Sequence, residues 1–418
     1  MPALYQQIAT FGKMKAVQVQ TDPPLKIITR TVWILSLVSL FNDIASEMLI
    51  PVMPMFLRHI GFTIVLIGIL EGIAEAVAGL SKSYFGKQSD LSGKRLPFVQ
   101  LGYALSAFSK PIMAIFVYPA WIFFARTLDR LGKGIRTGAR DAMLSDEATP
   151  ATKGRVFGFN RSMDTFGAVI GPAIALVYLY YHPNNYKALF LWCVIPGIAV
   201  IILTRLIKEK PKQEFATEKR KPAGFFAFIP YWKHSPQQYK KLVTGLLLFA
   251  LFNSSDVFLL LKMKETGLDD TAILGVYIFY NLIYALIAYP VGMLADKLGL
   301  KKIFLLGLAA FVAVYIGFAF NSNLVIYILL FALYGFYAAA TDGISKAWIS
   351  NIVDTKETAT AIGTYTGFQS IAALIASSLC GLLWFNFGAM TTFLATASVT
   401  VIVILYLAFF KRTNASVS

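Results

Sequence analysis

The chain has 418 residues, of which 57% are apolar and only 14% charged. Soluble domains carry about 25% charge, so a water-soluble globule is excluded. The net charge of +16 does not indicate a nucleic-acid partner, because the basic residues collect in alternate loops, which is a signature of membrane topology.

Apolar runs of about 20 residues recur along the chain, the length that crosses a bilayer as a helix. An all-α membrane protein is expected. Residues 1–30 are polar, close on TDPPLKIITR and form an N-terminal segment without a cleavable signal peptide. Six spans follow near 31–57, 63–86, 96–117, 119–144, 154–181 and 187–207, making an N-terminal bundle over 31–207. Residues 208–241 form a basic linker, within which AGFFAFIPYW, 223–232, reads as a short interfacial helix. Six more spans lie near 242–262, 271–295, 301–320, 324–350, 358–384 and 389–410, a second bundle over 242–410, before a tail at 411–418. Lys94, Arg95, Lys153, Arg155, Lys297, Lys301, Lys302, Lys411 and Arg412 share one side with the linker. That side, with both termini, is expected to be cytoplasmic. Cys193 and Cys380 fall inside apolar runs and read as buried thiols.

Charge inside the spans is unevenly spread. Span 1 carries Asp43 and Glu47 one turn apart, with Ser36, Ser39 and Ser46 on the same face. Span 2 carries Glu71 and Glu75, also one turn apart, with Lys82 further along. Lys110 in span 3 precedes Pro111 and is expected to snorkel outward. In span 4, Arg126, Asp129, Arg130, Lys133, Arg136, Arg140 and Asp141 fall, at 100° per residue, on a stripe about 140° wide. A charge at the bilayer centre costs about 2.5–3.5 kcal/mol on insertion scales, so the stripe must face water or opposite charge. Arg136, Arg140 and Asp141 lie near the cytoplasmic end and are expected at a gate or the surface. Arg126 and Arg130 lie deeper, for substrate binding, coupling or structural ion pairing. Span 5 adds Arg161 and Asp164.

The second bundle is poorer in charge. It offers Asn253 and Asp256 in span 7, Tyr277, Asn281 and Tyr284 in span 8, Asp342 and Lys346 in span 10, and Gln369 in span 11. Tyr280, Tyr334 and Tyr337 are weaker cavity candidates. The candidate substrate site is therefore Arg126, Asp129, Arg130, Lys133, Arg161, Asn253, Asp256, Asn281, Tyr284, Tyr337, Asp342 and Gln369. The proton-coupling candidates are Asp43, Glu47, Glu71, Glu75 and Asp164. Each of these acids could instead simply neutralise the arginines. The three histidines all fall in loops, which leaves any coupling to carboxylates.

The two halves repeat each other weakly. GKQSDLSGKR after span 2 matches GMLADKLGLKK after span 8, and FND in span 1 matches FNSSD in span 7. With this repeat the chain resembles the major facilitator superfamily over essentially its whole length. The loop signature stands at Gly86, Asp90, Gly93, Lys94 and Arg95, and again at Gly292, Asp296, Gly299, Lys301 and Lys302. The resemblance implies twelve helices in two pseudo-symmetric six-helix bundles. It also implies a cytoplasmic latch to which Arg140, Glu147 and Arg155 would add, Arg155 paired with Glu147. An aspartate at a helix end can hold a neighbouring helix's N-terminus. Gly158, Gly167, Gly171 and Pro172 in span 5 resemble the glycine spacing of proton-coupled antiporters, although Ala175 and Leu176 replace the closing glycine pair. The alternative is a glycine face for close packing.

A secondary transporter of a bacterial inner membrane follows, monomeric and without cofactor or metal, moving a small solute by alternating access. Proton-coupled efflux is the first expectation, from the span 5 glycines. Proton-coupled uptake of an anionic metabolite or chelate is the alternative, from the span 4 cations. No motif supports a membrane enzyme, since GKG at 132–134 lacks the spacing of a phosphate-binding loop. A solute sensor with a transporter-like fold is a third possibility.

Overall fold

The structure, a computed structural model, describes residues 27–49, 53, 56, 57, 60–116, 118–183, 185–209 and 228–409, without the side chains at 64, 65, 67–69, 71, 72, 75, 76, 228, 229, 270, 271 and 274. The sequence-based expectations for residues 1–26, for 210–227 of the linker, for the tail and for the Glu71 and Glu75 side chains lie outside it.

The described secondary structure is entirely helical. Helix α1, Arg30–Glu47, begins after Thr29, whose hydroxyl accepts the Val32 N–H at 3.3 Å. This N-cap satisfies a donor that the first turn leaves open. Thr63 does the same for α2, Ile64–Ser92, at 3.2 Å. Helix α3 is Leu96–Met113, and α4, Pro119–Asp146, opens with proline at N1, where no N–H is needed. Helix α5 is Lys153–Tyr181, and α6 is broken at Cys193 into Tyr186–Trp192 and Val194–Arg205. A short linker helix, Phe228–His234, overlaps the end of the expected interfacial segment.

Helix α7 departs from the expected continuous span. It runs Gln237–Ala250, breaks, and resumes as Val257–Glu265. The break contains Asn253, Ser254, Ser255 and Asp256, short polar side chains that compete with the helical backbone for hydrogen bonds. Helices α8, Asp270–Leu298, α9, Leu300–Phe320, and α10, Leu324–Ser350, follow. The helix Thr358–Ala408 is interrupted at Gly388, with α11 before and α12 after. Helices α2 and α8 both end at signature glycines, Gly93 at φ 65° and Gly299 at φ 100°, a backbone region that favours residues without a Cβ.

These helices form two bundles. In the first, α1 packs on α5 and α6, α2 on α4, and α3 on α4 and α6. In the second, α10 packs on α8 and α9, and α9 on α11–α12. The bundles meet where α2 lies against α11 and α5 against α8. The core of the second bundle is strongly aromatic: Phe311 stacks on Tyr315 at 4.1 Å, and Phe331 meets Phe318 edge-on at 5.4 Å. Outward faces carry large apolar side chains such as Phe108, Ile195 and Phe385, exposed by 58–88%, as contact with acyl chains requires. Among the described residues, six helical stretches are long and apolar enough to cross a membrane by length and composition. Helix α4 is not among them, because its charged stripe interrupts every apolar window.

Candidate functional site

Six of the seven charged residues of the α4 stripe, Arg126, Asp129, Arg130, Lys133, Arg136 and Arg140, wall a cavity of about 540 Å³ between the bundles. The first bundle adds Asp43 and Glu47 from α1, Lys82 from α2, and Arg161 and Asp164 from α5. The second adds Asn281 and Tyr284 from α8, Asp342 and Lys346 from α10, Gln369 from α11, and Asp256 from the α7 break. A smaller adjoining cavity of about 230 Å³ includes Asn253 and Tyr337 in its wall and shares Arg161, Asp256 and Tyr284. All twelve substrate-site candidates thus surround these two spaces.

The charges are interlocked. Asp164 pairs with Arg161 one turn earlier and with Arg140 at 3.8 Å. Its carboxyl also faces that of Asp43 within hydrogen-bonding reach. Arg161 crosses to the other bundle, pairing with Asp342 and bonding the Tyr284 hydroxyl, which itself donates to Asp342 at 2.8 Å. A second crossing joins Asp141 to Lys346 at 2.9 Å, while Arg140 holds Asp141 at 2.9 Å from its own helix. Lys82 of α2 bonds Ser370 of α11 at 2.9 Å. Glu47 sits in the electrostatic field of Lys133, Arg130 and Arg161.

Two sequence-based placements are corrected. Lys110 does not snorkel outward: it is 2% exposed, pairs with Asp129 at 3.2 Å and donates to the Ser106 carbonyl at 2.8 Å. The reason is the α3–α4 contact. Gly102 and Gly132 bring the backbones so close that a Cβ on either would stand 2.6 Å from the other's carbonyl oxygen. Asp129 is thereby buried in the seam, where an ionised carboxylate needs a partner. Of the two placements expected for Arg136, Arg140 and Asp141, a gate or the surface, the surface one does not hold. Arg136 donates to the Ser106 hydroxyl at 2.6 Å and lies 4.6 Å over the Tyr103 ring, and Arg140 donates to Ser39 at 3.2 Å. Asp141 is 1% exposed.

At the end of the molecule where α2 meets α3 and α8 meets α9, the two signature aspartates do equivalent work. Asp296 accepts the Gly154 and Arg155 N–H groups at 2.7 and 3.0 Å, capping α5 from the other bundle. Asp90 accepts the Thr360 N–H and hydroxyl at 2.7 and 2.8 Å, capping α11. Each places negative charge at a helix N-terminus, where the backbone dipoles favour it. Arg155 pairs with Asp296 at 3.2 Å. Arg95 pairs with Asp90 and Asp146 and donates to the Thr355 carbonyl. Lys94 lies exposed beside Gly93. Gly86 and Gly292 are seam residues: a Cβ on Gly86 would stand 2.5 Å from the Ala359 carbonyl oxygen, and Gly292 abuts Gly154.

Sequence reasoning missed Asp146 and Glu209. Glu209 accepts the Arg95 and Leu96 N–H groups at 2.6 and 3.1 Å, capping α3. It stands in a basic stretch that reads only as topology, and nothing local marks a cap made across more than a hundred residues. The span 5 glycines have a packing role. Gly158 meets Ala288 and Gly292 of α8, and Gly167 and Gly171 lie against α1 at Leu40–Asp43 and Ile44–Met48. Pro172 is buried within α5.

The family model of the Major Facilitator Superfamily matches residues 35–279 and 257–417. An uncharacterized MFS-type transporter of Methanocaldococcus jannaschii is 32% identical over 365 residues, 85% of this chain and 89% of that protein. The fold is shared with the human organic anion transporter of known crystal structure (TM-score 0.73, 15% identity, covering 92% of this chain and 100% of that one). It is shared equally with the E. coli fucose:proton symporter (TM-score 0.75, 12% identity, 91% and 98%). The chain therefore belongs to the Major Facilitator Superfamily and is a multi-pass membrane transporter, not an enzyme.

Proposed function

We propose that this transporter carries a small anionic solute together with protons. It works as a monomer by alternating access between an N-terminal bundle (31–207) and a C-terminal bundle (242–410), with both termini and the linker (208–241) cytoplasmic in a bacterial inner membrane. The observation that carries the reading is Asp164, held by Arg140 and Arg161 and facing Asp43. An ionised carboxylate only accepts hydrogen bonds, so two facing carboxyls bond through a shared proton. An anion entering the cavity competes with Asp164 for the two guanidinium groups, which grip carboxylate or phosphate in bidentate fashion. Once displaced from its arginines, Asp164 is neutralised by a proton. Anion and proton therefore favour each other's binding, which is the condition for carrying both in one direction. Among the described residues the cavity wall holds eight cations to six carboxylates, a balance suited to an anion.

Antiport is the second reading, and the α5 glycines are what favours it. Their packing against α1 and α8 accounts for them without coupling chemistry. Both readings are tested in proteoliposomes loaded with a pH-sensitive dye, screening organic anions outside. With the outside acidic, solute-dependent acidification of the lumen is expected. Alkalinisation of the lumen on solute entry would overturn symport in favour of antiport.

A further inference from the structure

The interruption of α7 faces the smaller cavity through Asn253 and Asp256. At the break the N–H groups of Leu251, Phe252 and Asn253 bond back to Leu247 and Phe249, so the first piece of α7 ends there with its carbonyls. A helix C-terminus carries partial negative charge. Asp256 lies on the other side of the break, where the second piece, Val257–Glu265, begins. Its hydrogen-bond donor is the Tyr334 hydroxyl at 2.7 Å, and among the described residues no lysine or arginine comes within ion-pairing distance of it. Elsewhere in the cavity, Asp129, Asp164 and Asp342 each have such a cation. Around Asp256 the wall is aromatic instead: the Tyr334 ring lies 5.1 Å from both Tyr280 and Tyr337.

A half-buried carboxylate without a counter-ion is costly, and a carboxylate inside a cluster of aromatic rings favours an organic ammonium group. We propose that this smaller cavity is an ammonium subsite, and that the solute is a zwitterion. Its anionic end meets the α4 and α5 cations of the larger cavity, and its ammonium end enters the tyrosine-walled space against Asp256. The anionic end rests on the anion reading above, whereas the ammonium end rests on Asp256 and the tyrosines alone. The wall carries seven aromatic side chains but also Asp342, Asn253, Gln369 and several hydroxyls, so a metal ion is the competing occupant that the test must separate.

The test is thermal unfolding of the full-length protein in detergent with glycine betaine, choline chloride, potassium acetate and sodium chloride as probes, since ligands of the folded state raise its midpoint. Glycine betaine is expected to act at the lowest concentration, followed by choline. Asp256→Asn keeps an acceptor for Tyr334 and should weaken betaine and choline relative to acetate by about tenfold or more. Tyr280→Leu is the second variant, should Asp256→Asn unfold, and is expected to act in the same direction. The proposal is overturned if choline and betaine leave the midpoint unmoved, or move it equally in wild type and both variants. An Asp256-dependent shift by sodium chloride equal to that by choline chloride would also overturn it, assigning the space to a metal ion. Acetate silent with choline active sinks the anion reading but supports this one; acetate active with choline and betaine silent does the reverse.

Discussion

Asp43 is held from one side by the Asn42 amide at 3.0 Å and faces Asp164 on the other, while Glu47 sits one turn further among cations. Among the described residues neither acid has an ion pair as close as those of Asp129 or Asp141, which are locked to their lysines at 3.2 and 2.9 Å. In the proposed cycle the proton is shared between Asp43 and Asp164, with Glu47 as a further candidate, and Asp129 and Asp141 serve as neutralising partners of their lysines. Asp43→Asn and Glu47→Gln are expected to abolish gradient-driven accumulation while leaving solute counterflow intact, as measured with labelled solute in proteoliposomes. If accumulation survives both changes, the coupling role passes to Glu71 and Glu75.

At the scale of the element, α4 is a helix that cannot face lipid on one side and is glycine-lined where it meets α2 and α3. Gly134 lies against Ser81, and Gly132 against Gly102 and Ser106. The Lys110–Asp129 pair joins α3 to α4 inside that seam. Removing one partner of a buried pair costs about 3–5 kcal/mol, whereas replacing both with apolar groups of similar volume is close to neutral. Lys110→Met should therefore lower the thermal midpoint by several degrees, and adding Asp129→Leu should recover more than half of the loss. A double variant no better than the single one would give Asp129 a task beyond pairing. Helix α7 shows the opposite device, a helix deliberately interrupted so that its polar residues reach the cavity.

Across the whole molecule, the contacts between bundles cluster at the end marked by the two signature loops. Gly86 and Gly138 lie against Ala359, Gly158 against Ala288, and Asp90 and Asp296 cap helices of the opposite bundle. This end is closed in the structure, and alternating access requires it to part. Gly158→Leu puts a side chain where a Cβ alone would stand 2.6 Å from the Ala288 carbonyl oxygen, an overpacking that costs about 1–3 kcal/mol. Spin labels on Lys94→Cys and Lys297→Cys, in a background of Cys193→Ser and Cys380→Ser, should separate in that variant. An unchanged distance distribution would show that the seam does not govern closure.

Much of this architecture is legible without coordinates. Spans, repeat and the two-faced α4 follow from local periodicity and spacing, because a bilayer penalises every exposed polar group and so writes its constraints into the sequence, whereas the latch is implied by the family resemblance of the two loop motifs. The candidate site was legible as a set of residue types, since charges within apolar runs must converge on water or on one another. What the tertiary structure alone decided is which charges meet. Lys110 turns inward because α3 and α4 touch through glycine, Asp141 finds Lys346 across the two bundles, and Glu209 caps a helix far away in sequence. Periodicity assigns a residue to a face of its own helix, but the partner on that face is set by how separate helices pack, and packing is a property of the assembled bundles.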